Sequence, residues 1–489
     1  MNNLKKFLII VVFLQSWIFF SFLLTTNTPL ENSNPIPTNP SLKTSSNKVI
    51  VRILDETQVN YEITDEQQDP SICALSNETF AVAWESYEQD GWSWGVYASV
   101  FNATTGKNIT SEFRVNQHTD KSQLNPSICA LSNETFAVAW QSYDQDYVNP
   151  NYGVYARVFD ATTGQQITPE FQVNDFEALD QEKPSICALS SNTLAIVWEC
   201  YGQSGLYARL FDATTGNSIT SEFKIGGGTR PSICALSNET FAAVWENSFE
   251  VHGKIFNATT GKNITSQFEL GEDWVLSPYI CDISNDILAI AWDCLGQDGP
   301  SSFGVYAGVI NATTGKSLTS EFRVNEYTEK DQDSPAICAL GSDMFVVTWE
   351  SRLQDGSGDG VYAKVFNATT GQHIISEFQV NDHTQYTQRS PTVCALSNDT
   401  FAIAWESYEQ DGDLNGIYCT IFRIENYYPT NILPFGPSNG DDDDDKDGND
   451  SIPFGNLYLT IFFISVLSLI VITRDKILRK GSEKRKKEF

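Results

Sequence analysis

"PSICALSNETFAVAWESYEQDG" occupies residues 70–91, and residues 126–146 repeat it almost letter for letter as "PSICALSNETFAVAWQSYDQD". Comparing the chain with itself gives seven such phrases, with cysteine at 73, 129, 187, 234, 281, 338 and 394. The matching tryptophans are Trp84, Trp140, Trp198, Trp245, Trp292, Trp349 and Trp405, each eleven residues after its cysteine, whereas successive copies start 47 to 58 residues apart. A fixed interior with variable spacing places the length changes in loops and marks a repeat architecture.

Within a copy such as 126–174, four apolar stretches are separated by turn-forming sequences, the pattern of strands and not of helices. We label them A ("SICAL"), B ("TFAVAWQS"), C ("GVYARVF") and D ("EFQVN"). "SNET" joins A to B and "DATTG" joins C to D, with Gly available for a positive φ, so each copy is predicted to be a four-stranded antiparallel meander. In strand B, Phe136, Val138 and Trp140 alternate with Ala137 and Ala139, so neither face is polar and both are expected to be buried. Sheets that are bulky on one side and small on the other stack on copies of themselves, as propeller blades do around a channel. The seventh copy stops without an "EFxVN" strand, while "ETQVN" stands upstream of the first copy. A strand at about Glu56–Asn60 is therefore predicted to complete the seventh blade, closing the ring and removing two exposed edges. The expected fold is all-β: a seven-bladed β-propeller of four-stranded antiparallel blades. A string of independent sandwich modules is the alternative, although about 55 residues is short for one.

The phrase "VAWESYEQDG…GVYA.VFNATTG…SEFRVN" resembles the tandem repeats of about fifty residues found in large bacterial surface and secreted proteins, over nearly all of 56–423. The resemblance implies an extracellular β-rich surface protein, with adhesion by association and no defined active site. The chain lacks the calcium-binding nonapeptide repeats that some of those proteins carry, and has Cys where a small aliphatic residue is expected, so calcium dependence does not carry over.

The flanks read as membrane attachment. Residues 1–24 join Lys5 and Lys6 to an apolar run, a signal peptide or an uncleaved signal anchor. Residues 25–47 form a polar linker, 48–424 the repeat ectodomain and 425–456 an acidic stalk. Residues 457–473 are long enough for a C-terminal transmembrane helix, and the basic tail 474–489 is cytoplasmic by the positive-inside rule. Between the apolar runs the formal charge is about −38, a field that opposes nucleic acid and favours cations or basic partners.

In a meander the A–B and C–D turns share one face, and the B–C and D–A loops share the other. Asn-x-Ser/Thr sequons stand in the A–B turns (Asn77, Asn133, Asn238, Asn398) and in the C–D turns (Asn102, Asn108, Asn257, Asn263, Asn311, Asn367), with Asn449 in the stalk. They are candidate N-glycosylation sites, or turn-forming residues copied with the repeat. The opposite face carries the loops that vary in length, where Trp92 and Trp94 are candidate ligand contacts, for example by stacking on sugar. A carboxylate follows the repeat tryptophan in six copies (Glu85, Glu199, Glu246, Asp293, Glu350, Glu406), and Gln141 does in the seventh. Such a ring suits calcium, or carboxylates that accept backbone N–H bonds. "DDDDDKDGND" begins like a calcium loop at Asp443, but Phe454 stands where a bidentate Glu is required, so the stretch reads as a spacer.

The seven strand-A cysteines read as small buried residues, and simple hairpin register sets Cys187 opposite Ile196, away from Cys200. Of the four histidines (His118, His252, His373, His383), His118 and His383 share one repeat position, and no nucleophile elbow, zinc-binding His pair or phosphate loop occurs. The sequence thus predicts a cell-surface binding or adhesion module that takes an extracellular protein or glycan, needs no cofactor and is not an enzyme. The alternatives are a hydrolase or lyase acting on surface polysaccharide and a structural envelope protein.

Overall fold

The computed structural model describes residues 47–145, 150–201, 205–271, 274–284, 286–297 and 302–427. The segments assigned above to the signal, the transmembrane helix and the tail, most of the linker and stalk, and Asn449 lie outside the described residues. Among the described residues no helix is long and apolar enough to cross a membrane.

Seven separate four-stranded antiparallel sheets follow one another along the chain, each in the order A-B-C-D. The long face of one blade meets the small face of the blade before it. Phe136, Val138 and Trp140 of blade 2 pack on Ala81, Ala83 and Ala98 of blade 1, while Ala137 and Ala139 receive Leu194, Ile196 and Trp198 of blade 3. The same contact joins the ends: Phe80, Val82 and Trp84 of blade 1 pack on Ala402 and Ala404 of blade 7, so the ring is closed. All seven repeat tryptophans are fully buried, and truncating a core residue of this size typically costs about 3–5 kcal/mol.

Closure uses more chain than the "ETQVN" match suggested. The N-terminal strand runs Asn47–Gln58 and pairs with Asn415–Tyr427, from Asn47 opposite Tyr427 to Gln58 opposite Tyr418. The predicted start at Glu56 is corrected to Asn47, and residues 425–427, assigned to the stalk, belong to the seventh blade's third strand. The sequence match saw only the motif that all outer strands share; "VIVRIL" upstream extends the pairing because Ile50 and Leu54 reach the cores on the two sides of the blade.

The inner strand is bulged in every blade. Its register shifts at the residue before proline, as between Gln68 and Ser71 in blade 1. That residue has a left-handed φ: Asp69 48°, Asn125 53°, Lys183 49°, Arg230 51°, Ser277 45°, Ser334 50°, Ser390 52°. A second irregularity at the A–B turn of blade 3 puts Cys187 opposite Ala195, correcting the simple register that placed it opposite Ile196. Cys200 pairs with Gln181 in the backbone register, and all ten cysteines are free. Burial pushes the thiols of Cys73, Cys187 and Cys419 up to about 12, so they stay protonated and unreactive.

Candidate functional site

The inner strands enclose a channel of about 390 Å³, whose wall repeats the dipeptide that follows the bulge: Pro70-Ser71, Pro126-Ser127, Pro184-Ser185 and Pro231-Ser232. Each of these serines accepts the backbone N–H of the next blade's inner strand, Ile128 from Ser71, Ile186 from Ser127, Ile233 from Ser185 and Ile280 from Ser232, at 3.2–3.3 Å. Blade 5 breaks the pattern, placing Tyr279 where the others have a small side chain. The mouth of the channel opens on the B–C and D–A side, because the bulge residues that line it begin strand A.

The six carboxylates after the tryptophans stand near this mouth, and five of the seven positions, four glutamates and Gln141, bind a neighbour in one way. Glu85 Oε1 accepts the N–H of Asn125 at 2.5 Å, Glu199 Oε1 that of Arg230 at 2.5 Å, Glu350 Oε1 that of Ser390 at 2.7 Å and Glu406 Oε1 that of Asp69 at 2.8 Å. Gln141 Oε1 accepts the N–H of Lys183 at 2.9 Å, so a neutral amide fills the same role. Each side chain thereby holds the strained bulge of the following blade, which supplies the backbone donors that a strand-end carboxylate seeks. Glu246 accepts from the Arg230 guanidinium at 2.7 Å. Asp293 is buried, and its Oδ1 lacks a hydrogen-bond partner among the described residues.

Charge at the mouth is uneven. Lys183, Arg230 and Arg389 pair with Glu199, Glu246 and Glu406 of their own blades at 3.2, 2.7 and 2.8 Å. In blades 1, 5 and 6 the bulge position of Lys183 and Arg230 holds Asp69, Ser277 and Ser334, and the position of Arg389, opposite the carboxylate, holds Gln68, Leu276 and Asp333. Burial, and then the Glu406 carboxylate, lifts Asp69 to about 6; burial and then Asp333 lift Asp293 to about 7. Asp333 rises to about 6 through burial and then Asp359. Glu85 and Glu350 are held well above the carboxylate range by burial first, then by Asp69 and Asp333 respectively.

The loop face and the turn face differ in their exposed side chains. Trp92 is 61% exposed, whereas Trp94 opens strand C opposite Tyr87, edge to face at 5.1 Å. Trp94 thus occupies a repeat position, equivalent to Tyr152 opposite Tyr143 in blade 2, and its reading as an extra loop residue is corrected. Tyr61, Tyr201, Phe249, Trp274 and Tyr386 are further exposed rings in B–C and D–A loops. Phe249 and Trp274 lie 4.3 Å apart, both at left-handed φ (70° and 57°), a pair that sequence distance concealed. On the turn face the exposed large residues are the aliphatic Ile109, Ile167, Ile219, Ile264 and Leu318, together with Tyr427 at the end of blade 7's third strand.

Of the sequon asparagines, Asn77, Asn108, Asn133, Asn238, Asn263 and Asn398 are exposed. Asn102, Asn257, Asn311 and Asn367 are half-buried, and their Oδ1 accepts the hydroxyl of Thr105, Thr260, Thr314 and Thr370. Asp160 does the same with Thr163, so the acceptor oxygen is what this turn position requires. A second motif was legible but unread: Asn60, Asn116, Asn325 and Asn381, each seven residues before a glutamine. Their Oδ1 accepts the N–H of Ile417, Val96, Val305 and Val361 at 2.8–2.9 Å, and their Nδ2 donates to Gln67, Gln123, Gln332 and Gln388 at 2.9–3.1 Å. Asn60 thus performs in blade 7, from the far end of the chain, what Asn116 performs in blade 1.

Among solved structures the fold is similar to a protein of unknown function from Dyadobacter fermentans, at 9% identity over 77% of this chain and 99% of that one, with a TM-score of 0.50. It is also similar to the propeller domain of the Trilobed protease from Pyrococcus furiosus, at 10% identity over 76% and 97%, TM-score 0.41. An α-L-arabinofuranosidase of Fusarium graminearum shows 13% identity over 76% and 97%, TM-score 0.41. At these identities the likeness concerns the fold, a β-propeller. No family model matches the chain, and no curated protein does.

Proposed function

We propose that the protein is a membrane-anchored binding module of the cell surface, which presents the loop face of its propeller to an extracellular protein or glycan and carries N-glycans on the turn face. One observation carries the reading: the exposed aromatic rings Tyr61, Trp92, Tyr201, Phe249, Trp274 and Tyr386 stand in the loops around the channel mouth, while the turn face presents aliphatic and polar residues and, among the described residues, the single exposed ring of Tyr427. Solvent-exposed rings on a rigid scaffold offer stacking and desolvation to a ligand at small entropic cost. Anchorage through 457–473, and orientation with the tail inside, rest on the hydropathy and charge of the sequence.

A second reading, a hydrolase or lyase on surface polysaccharide, is favoured by the carboxyls of Asp69, Asp293 and Asp333, held between about 6 and 7 where acid and base forms coexist near neutrality. Residues 47–427 probed on glycan and protein arrays separate the two. Binding that falls at least tenfold in the double variant Trp92→Ala, Trp274→Ala supports the module; turnover of a bound glycan supports the enzyme. Removal of N-glycans from native material is expected to lower the mass, and an unchanged mass would sink the glycoprotein assignment.

A further inference from the structure

Blade 4 departs from the other six at four positions that meet in space. Its strand C begins with Glu250 and His252 where blade 1 has Gly95 and Tyr97, and the other five blades also have Gly and Tyr there. Opposite His252 in strand D stands Glu269, where blade 1 has Arg114. Two residues before it, Gln267 replaces the glutamate of "SEF".

The replacements form one cluster. His252 Nε2 lies 3.3 Å from Glu250 Oε2, and Nδ1 lies 3.9 Å from Glu269 Oε1. One ligand atom from each of the three residues lies within 4.8 Å of the others. The imidazole is 8% exposed, and its Nε2 lacks a hydrogen-bond partner among the described residues, whereas Glu250 and Glu269 are 45% and 59% exposed. Gln267 Nε2 is placed 2.6 Å from Nδ1; the two ends of an amide are interchangeable by rotation. As placed, the amide also donates to Glu269 Oε1 at 3.1 Å; turned over, it gives up that bond and leaves the carboxylate to another partner, while its oxygen accepts Nδ1–H, which fixes the tautomer and directs the Nε2 lone pair toward Glu250. Lys254, on the same side of the strand, is drawn away to the Ile225 carbonyl of blade 3 at 3.4 Å.

We propose that His252, Glu250 and Glu269 bind one divalent transition-metal ion of the zinc or manganese type on the two outer strands of blade 4, with Gln267 orienting the imidazole. The 3.3 Å between Nε2 and Glu250 Oε2 equals the spacing of two ligand atoms about 2.0–2.1 Å from a tetrahedral ion. One imidazole with two carboxylates is a borderline donor set that suits zinc, manganese or iron(II) better than calcium, which takes six to eight oxygens. The exposed carboxylates leave the ion open to solvent, so a water or a donor from a ligand completes its shell.

The test uses the full chain, stripped with a chelator and titrated with Zn²⁺ or Mn²⁺ by calorimetry, with bound metal counted after dialysis. One ion per chain is expected. Glu269→Gln, at an exposed position, should weaken binding at least about tenfold, and His252→Tyr, which restores the residue of the other six blades, should abolish stoichiometric binding. Wild type that retains neither ion at micromolar concentration, or either folded variant that binds as wild type does, would overturn the proposal. Should His252→Tyr misfold, Glu269→Gln decides alone.

Discussion

Blades 1 and 4 are built on the same frame, and one loop sets them apart. In blade 1 the B–C loop carries Asp90, whose Oδ2 would lie 2.9 Å from a Cβ added at Gly95; Asp355 and Asp411 crowd Gly360 and Gly416 in the same way, at 2.8 and 2.5 Å. In these three blades the loop aspartate therefore crowds any side chain at the glycine that follows the first residue of strand C. In blade 4 the connection shrinks to Ser248 and Phe249, both at positive φ, between the paired residues Asn247 and Glu250. Such two-residue turns with both φ positive match the twist of a hairpin. No loop carboxylate overhangs the strand, Glu250 fits, and the neighbouring Tyr, Arg and Glu positions have changed with it. The strand's side-chain rules are thus written by the loop that crosses it, and a site appears where that loop is lost.

The largest test of the shared frame concerns its closure. A chain beginning at Tyr61 loses the strand Asn47–Gln58, the buried side chain of Val59 and the Asn60 bond to Ile417, and uncovers the edge of Asn415–Tyr427. Its stability should fall by on the order of 5 kcal/mol or more. A denaturant midpoint equal to that of the longer chain would show that the ring does not depend on its outer strand.

The loop rule predicts opposite outcomes for reciprocal changes. Gly360→Glu drives a carboxylate against Asp355 and should cost about 1–3 kcal/mol, while Glu250→Gly should change stability by less than about 1 kcal/mol. Equal losses in the two variants, measured by chemical unfolding, would remove the loop as the cause.

The smallest effect distinguishes the carboxylate positions from Gln141. Glu85 has its folded value held well above its unfolded one, as do Asp69 at about 6 and Asp293 at about 7. Between the unfolded values near 4 and these folded values, the native state binds more protons than the unfolded chain, so stability is greatest at the acid end and falls as pH rises toward 7. Each group contributes at most about 1.4 kcal/mol per pH unit across its own window. Glu85→Gln, copying blade 2, should keep the bond to the Asn125 N–H, stabilise the protein at neutral pH and flatten the profile. A profile as steep as that of wild type would place the pH dependence elsewhere.

Much of the fold could be read from particular residues. Phe136, Val138 and Trp140 against Ala137 and Ala139 announced a sheet buried on both faces, and "ETQVN" before the first repeat announced the shared blade. The start of the closing strand at Asn47 was not readable, because "VIVRIL" belongs to no repeat and its pairing is decided by what the last strand presents. The cysteine register was missed by one residue because a bulge at the A–B turn leaves no mark in an alternating pattern. The carboxylate after each tryptophan was legible as a residue; its partner, the bulge N–H of the next blade, lies about forty residues on, or, for Glu406, at Asp69 near the other end of the chain. His252 was visible as a histidine outside the repeat, but its meeting with Glu250 and Glu269 depended on the pairing of strand C with strand D.

By itself the sequence determined the number of blades, the strand type and the inward residues, since these follow from periodicity and turn chemistry, which act over a few neighbouring positions. Only the tertiary structure decided how the ring closes, which N–H each buried carboxylate holds, which rings stand together on the loop face, and where blade 4 gathers imidazole and carboxylate. Those outcomes depend on contacts between residues far apart in the chain, and their geometry exists only once seven sheets have packed against one another.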